Sequence, residues 1–452
     1  MRTSWTRFVR QTLTGVLTLV TLIALAVVIE NWRGNRAWTA YETELRAQGV
    51  SLDATAELPA VPDSENYFKA PGLEPLFFGN TRLAYTATFG AEPMRSLVEL
   101  ARLPRGNVDW NKIREEFAAK NLIPKQGSAP PAADVLAALS PLAPVLENVR
   151  RAGEQRIRAW RPMPDPGDVV TAYPAIRTLT LLLQFRAAAS LEAGRTDEAM
   201  ADCVALERMA TALQKSGTLL VDLLVVSIVD VAAADVFVRG CETHAWTEKE
   251  LRDFLNGWSG DSQLGDIPAR FLGDRRRGMR AIRPEDLPWW MFHGWREQYA
   301  VAAYRGIEAY ALAATPKPGQ PYSENLAAVG DLDRASETSW SPYRWPLRKS
   351  SIRPLITNLA TKSVDAANVR VAAALELYRL RHGGYPDSLS SLVPDILPEV
   401  PLDVMENKPV WYQRTDDGYK LRSKIIVIER PGAMPAGFGP AHADAEKRAA
   451  DH

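Results

Sequence analysis

The chain has 452 residues, enough for two or three domains, since a single core rarely grows beyond about 250–300 residues. Lys plus Arg and Asp plus Glu both total 54, so the formal net charge is zero, and 46% hydrophobic with 24% charged residues is ordinary globular composition. A neutral chain has no electrostatic footprint for a polyanion, which argues against a DNA or RNA binder.

The first element in chain order is apolar. Residues 1–10 form a short basic stub with Arg2, Arg7 and Arg10, and no charge occurs from Gln11 to Ile29. That stretch, helical at 1.5 Å per residue, is about 28 Å long and matches the hydrocarbon core of a bilayer. Three arginines on each side (Arg33, Arg36 and Arg46 follow) leave the basic-residue count balanced. The short stub, the terminal amine and the crowding of Arg near the bilayer favour an N-terminus-in orientation. Ala24-Leu25-Ala26 has the small-x-small form of a signal-peptide cleavage site. The apolar run nevertheless continues through Val27, Val28 and Ile29, and Trp32 and Trp38 follow where an interfacial aromatic belt belongs. The expectation is a retained transmembrane anchor at 11–29.

Residues 30–65 read as a juxtamembrane helix, Arg36–Gln48, and a Pro-containing linker. An irregular helical region follows at 66–165, with helices near Asp109–Lys120 and Ala132–Ala152 and Pro-rich breaks at Gln126–Pro131 and Arg161–Pro166. A helical-hairpin domain is expected over 166–345. Ile176, Leu179, Leu183 and Ala187 recur at three- and four-residue spacing, and Gly194 stops that helix before the next, Asp197–Lys215. The hairpin resembles a tetratricopeptide unit, yet no second copy occurs at a period near 34, so a repeat array is unsupported.

Leu219–Val238 is apolar enough to suggest a second span, but it carries Asp222, Asp230 and Asp235. Each costs about 3 kcal/mol near a bilayer centre, and their helical angles form no single polar stripe. A central helix of a soluble bundle is expected instead. Thr247 with Glu250 has capping-box spacing and opens a helix, Lys249–Trp258. A loop with Pro316, Pro318 and Pro321 and a polar segment to about 340 are expected to close the domain. The two cysteines, Cys203 and Cys241, fall on consecutive antiparallel helices with an axial offset of about 16 Å, too far for a disulfide. Buried free thiols are expected.

A small C-terminal α+β module is expected over 354–430, before a flexible tail at 431–452. Asn358–His382 is an amphipathic helix ended by Gly383-Gly384, Asp387 is a cap for a short helix at Ser388–Leu392, and strands Pro409–Arg414 and Tyr419–Ile428 flank the turn Thr415-Asp416-Asp417-Gly418. The fold class is therefore mainly α, with an N-terminal transmembrane helix, a helical-hairpin domain and this module.

The run Ala374–Ser423, ALELYRLRHGGYPDSLSSLVPDILPEVPLDVMENKPVWYQRTDDGYKLRS, resembles the globular head of type II secretion major pseudopilins. There a long helix ends in Gly-x-Tyr-Pro and is followed by a Leu-rich short helix, a Leu-Pro-x-x-Pro-x-Asp turn and an antiparallel hairpin. The module and the segment Glu30–Asp63 also resemble a family of uncharacterised bacterial membrane-anchored proteins, which supplies no activity to carry over. The resemblance covers about 50 residues. No Gly-Phe pair precedes the apolar run, no acid lies within it, residues 30–353 separate span from module, and KIIVIERPGAMPAGFGP after Ser423 has one carboxylate. Filament assembly and calcium binding by the head are therefore not implied.

Chemical motifs are sparse. The histidines His244, His293, His382, His442 and His452 include no i, i+4 metal pair, and no nucleophile elbow, P-loop or zinc-protease motif occurs. No catalytic, cofactor-binding or metal residue is assigned, and no cofactor is implied. One candidate interaction surface stands out: Arg275, Arg276, Arg277 and Arg280, then Trp289, Trp290 and Trp295. The plainer readings are a solvated helix face and a packed aromatic core; the sharper ones are contact with anionic lipid or envelope polymer and a docking patch. The sequence favours a non-enzymatic envelope scaffold, single-pass in the bacterial cytoplasmic (inner) membrane with its bulk extracytoplasmic. Its partners would be the bilayer, through residues 11–29, and a protein of unknown identity. A component or relative of a type II secretion or pilus-type apparatus, and an envelope hydrolase with an unrecognised site, are the alternatives.

Overall fold

The protein opens on one uninterrupted helix, α1, Arg2–Ala47. The computed structural model describes residues 2–48, 61–103, 108–125, 129–156, 158–159, 173–216, 220–258, 263–271, 293–338, 353–416 and 418–422. Over the apolar run the side chains meet no protein cover: Leu13, Leu17, Leu22 and Val28 are all exposed. The hydroxyls of Thr14, Thr18 and Thr21 each donate to the carbonyl four residues back, at 2.8 Å, which satisfies them without water. Among the described residues, α1 is the one helix long and apolar enough to cross a membrane by itself. The expected separate juxtamembrane helix does not exist as such, because nothing between Ile29 and Arg36 breaks the backbone ladder. Arg36–Ala47 simply continues the span.

The described elements that follow are α2 (Glu74–Phe77), α3 (Thr81–Phe89), α4 (Met94–Leu100), α5 (Trp110–Ala119), α6 (Pro131–Ala138), α7 (Ala143–Gln155), α8 (Tyr173–Glu192), α9 (Thr196–Ser216), α10 (Leu220–Glu242) and α11 (Glu248–Gly257). Then come α12 (His293–Ala314), α13 (Tyr322–Thr338) and α14 (Arg353–His382). Two antiparallel ribbons end the described chain: β1 (Leu402–Asp403) with β2 (Lys408–Pro409), and β3 (Tyr412–Thr415) with β4 (Gly418–Leu421). The fold is mainly α with a small antiparallel C-terminal part. It divides into two units, one of Met1–Leu58, Pro268–Thr315 and Leu326–Pro354, the other of Pro59–Ile267, Pro316–Asn325 and Leu355–His452. Of the segments that the sequence suggested as domains, 166–345 is shared between the two units, while 66–165 and 355–430 fall within the second.

In the first unit α12 packs along α1 in parallel. Gln298 Nε2 donates to Glu30 and Gly294 N–H to Asn31, both at 2.9 Å; further along, Tyr41 Oη donates to Glu308 and Arg305 binds Glu44, both at 2.8 Å. Tyr41, Leu45, Ala300 and Tyr304 form the buried seam, with the Tyr41 and Tyr304 rings stacked at 6.1 Å. Glycines set the spacing at one end. A Cβ on Gly34 would fall on the Gly294 backbone, and a Cβ on Gly294 on the backbone of Glu30 and Asn31, in each case closer than 3.0 Å. No other residue fits such a crossing without moving a helix.

The second unit holds a large core, in which α8, α9 and α10 pack on one another and α7 lies against α9. Small residues (Ala187, Ala199, Ala205, Ala233) are buried along the seams, and Gly194 turns the chain between α8 and α9 at φ +73°. Asp202 on α9 is fully buried and receives Arg186 Nε and Arg150 Nε, both at 2.8 Å, which ties α7, α8 and α9 by charge. The α10 aspartates are used within the unit: Tyr173 Oη donates to Asp222 at 2.9 Å, and Gln184 and Arg239 donate to Asp235 at 2.9 and 3.0 Å. Val226, Val229 and Val236 of α10 are buried in the core, as expected for a bundle helix. Cys203 and Cys241 are free and buried, and Cys203 Sγ donates to Ala233 O at 3.4 Å.

Three local expectations change. The single helix Ala132–Ala152 breaks into α6 and α7 around a 3₁₀ turn, Ser140–Leu142, because Pro141 and Pro144 remove donors and clash with the preceding turn. The polar segment after Pro321 is a helix, α13, whose Tyr322, Leu326 and Val329 are buried at helical spacing between acidic neighbours. Ser388, not Asp387, caps the short turn Leu389–Leu392; Asp387 instead accepts from Arg414 Nη1 at 2.6 Å. The hairpin registers Tyr412 with Leu421 and Thr415 with Gly418, and residues beyond 422 of the expected second strand lie outside the described residues. Gly34→Leu is expected to pry α12 from α1. Hydrogen exchange of the Ala300–Tyr304 amides should speed up at least about tenfold, since overpacking costs about 1–3 kcal/mol. Unchanged exchange there would refute the crossing.

Candidate functional site

A cluster of ionisable groups drawn from several elements lies in the second unit and begins at the end of α10. That helix closes in a Schellman turn: His244 N–H bonds Cys241 O at 3.1 Å and Ala245 N–H bonds Gly240 O at 2.8 Å. The turn needs a left-handed residue, and His244 fills the place at φ +52° where glycine is the usual choice. Gly240 is needed for a different reason. The Trp246 ring lies where its Cβ would be, with Trp246 Nε1 donating to Phe237 O at 2.9 Å. Phe237, Phe254 and Trp258 extend this as a stack, 3.8 and 5.0 Å between successive centroids, while the Thr247–Glu250 capping box fixes the start of α11.

The histidine side chain explains its placement. His244 Nδ1 lies 3.1 Å from Oε2 of Glu376, a carboxylate on α14 that is 3% exposed. The same oxygen accepts from Arg379 Nε at 2.9 Å, one helical turn on. Oε1 accepts from the Tyr385 hydroxyl, which arrives from the loop that Gly383 turns at φ +78°. Tyr385 meets the fully buried Tyr419 edge-on at 4.8 Å. Burial first, and then the Glu376 charge, pushes the Tyr385 phenol up; burial does the same to Tyr419. Cys241 sits near the cluster, and burial, reinforced by Glu376, raises its thiol well above the usual range. A thiol so held is protonated and a poor nucleophile.

Both oxygens of Glu376 are thus engaged by donors from three parts of the chain: the α10 turn, α14 itself and the loop after Gly383. A carboxylate so placed ties those three parts of the chain together. It holds. Only the outer edge of the His244 ring, on a side chain 44% exposed, faces away. Among the described residues no group of three or more His, Cys, Asp and Glu could hold a metal ion.

Of the candidate surface residues, Arg275, Arg276, Arg277, Arg280, Trp289 and Trp290 lie outside the described residues. Trp295 is described: it stands in the first turn of α12, in the first unit, 41% exposed. Sequence reasoning passed over His244, Glu376 and Tyr385. A histidine two residues past a helix end, where glycine is usual, was the available signal; its partner 132 residues away was not.

No family model matches the chain, and neither a curated protein nor a solved structure matches it significantly.

Glu376→Ala is expected to leave Arg379 and Tyr385 without their acceptor, at a cost of about 3–5 kcal/mol. Thermal unfolding of the full chain in detergent should shift down by several degrees or more. A wild-type midpoint would remove the clamp from the account.

Proposed function

We propose that this protein is a non-enzymatic scaffold, held by one helix in the bacterial cytoplasmic membrane, with its helical body on the extracytoplasmic side. The observation that supports it most is the two-part character of α1. Its apolar half has no protein cover, and the continuation of the same helix is packed through Tyr41 and Leu45. Cleavage after Ala26 would remove most of the apolar half and leave Val27–Ile29 as a greasy new terminus. Retention leaves every backbone group of the span bonded within the helix, as hydrocarbon requires. Arg2, Arg7 and Arg10 support the N-terminus-in orientation. The stretch proposed to meet a partner protein is the basic and aromatic one from Arg275 to Trp295, of whose candidate residues Trp295 is among the described residues. The engagement of Glu376 supports a holding role over a catalytic one.

A second reading rests on the C-terminal part. The order of long helix, Gly383 turn, 3₁₀ turn and hairpin is the order of a pseudopilin head, which favours a relative of a secretion or pilus-type apparatus. Such a relative should co-purify with secretion components from solubilised membranes.

Expressed in a bacterium, the intact chain should stay in the membrane pellet through alkaline carbonate washing and be released by detergent. Protease added to spheroplasts should digest the body and spare a tag on the N-terminal stub. Recovery of unprocessed chain as a soluble species, or of a product beginning near Val27, would defeat the proposal.

A further inference from the structure

The register between α1 and α12 has a consequence for the membrane surface. On α1 the apolar run ends at Ile29, and Trp32, 61% exposed, lies three residues on, about 4.5 Å along the axis. The headgroup layer on each side of a bilayer is about 5–8 Å thick, so Trp32 falls within it. α12 meets α1 at that same level. Gly294 N–H bonds the Asn31 side chain, Gln298 bonds Glu30, and the two glycines let the Gly294 backbone approach that of α1 at Glu30, Asn31 and Gly34. Because the helices run parallel, His293–Trp295 are the residues of α12 nearest the end of the apolar run, and the rest of α12 leads away from it. Trp295 is 41% exposed there, and His293, with a side chain 65% exposed, pairs with Glu297 only at 3.8 Å.

We propose that the first turn of α12, His293–Trp295, is a second membrane contact, seated in the phospholipid headgroup layer beside Trp32, so that the bilayer is gripped by two helices of which one spans it. An indole at this depth places its ring against the acyl–glycerol boundary and its N–H toward water or ester oxygens, which is why tryptophan collects at interfaces. The pairs that join the helices at this level, Asn31 with Gly294 N–H and Glu30 with Gln298, survive immersion, although Glu297 beside them is buried with one carboxylate oxygen that has no hydrogen-bond partner among the described residues. The arginines here suit the same layer: Arg33 pairs with Glu30 at 2.8 Å, and Arg36 lies 5.5 Å from the centroid of the Trp32 ring.

The inference rests on the anchor reading, and one experiment separates the two. Single cysteines replace Leu22, Arg33, His293 and Leu312 in turn (Leu22→Cys, Arg33→Cys, His293→Cys, Leu312→Cys) in the full chain; Cys203 and Cys241 are buried. Each is labelled with a small fluorophore, and the protein is reconstituted into phosphatidylethanolamine–phosphatidylglycerol vesicles carrying a nitroxide on the headgroup or deep in the acyl chain. The acyl-chain nitroxide should quench position 22. The headgroup nitroxide should quench 293 about as strongly as 33, and at least about twofold more than 312, which lies about 28 Å further along α12. If position 22 is quenched while 293 is quenched no more than 312, the second contact is overturned and the anchor stands. If position 22 escapes both nitroxides, the anchor reading fails and takes the inference with it.

Discussion

The close approach of Gly34 and Gly294 constrains the first unit more than any other contact. A glycine inside a helix costs about 1 kcal/mol against alanine, and this crossing has one on each side. The cost is offset only if the backbones need to touch. They do, and with that contact the sliding freedom of α12 on α1 disappears: Asn31 meets Gly294 N–H, and Tyr41 stacks on Tyr304 and reaches Glu308. A helix that continues without a break beyond its apolar part transmits its position to whatever it is locked against. The place of α12 is thereby fixed relative to the point where α1 stops being apolar.

In the second unit, buried charge plays the corresponding part. Asp202 and Glu376 are nearly or wholly inaccessible, and each takes at least two charged or polar donors from separate elements. Removing a carboxylate from water is expensive, and in general such pairs do not add much stability over a well-packed apolar replacement. What they add is selectivity of arrangement. Seams of alanine and valine are interchangeable in many registers, and a carboxylate that must meet particular guanidinium groups is not. Asp202 does this where α7, α8 and α9 join, and Glu376 where the α10 turn, α14 and the Gly383 loop join.

The parts of this fold that were legible in the sequence are those whose cause is local. The Thr247–Glu250 box, the glycine turns at Gly194 and Gly383, the apolar periodicity of α8 and the hairpin after Tyr412 all depend on residues within about one or two turns of each other. The aspartates of α10 also gave the right inference, because a span could not have carried three. What stayed hidden was set by distant partners. α13 looks polar because its buried face mixes Tyr322, Leu326 and Val329 with Asn325 and Ser336, and Tyr322 N–H is held by Val404 O, a residue far along the chain. Residues around Asp387 showed a capping pattern, but Arg414 claimed that carboxylate and left the cap to Ser388. The candidate site was the least legible of all, since His244, Glu376 and Tyr385 carry no motif until folding brings them together.

That same site bears on what kind of work the second unit is built for. Catalytic groups are usually kept under-committed: a base needs a free lone pair, and a thiol nucleophile needs a depressed pKa. At this cluster the environment pushes the other way. Glu376 has donors on both oxygens, and burial drives the Cys241 and Tyr385 protons on rather than off. His244 adopts a left-handed backbone at a helix end, a position where glycine would be easier, and the imidazole so placed joins two elements. Strain of this kind often marks a functional residue. Here it is accounted for by the bond it makes; what the clamp leaves unexplained is the outer edge of the ring and the buried Tyr419 hydroxyl, which has no hydrogen-bond partner among the described residues.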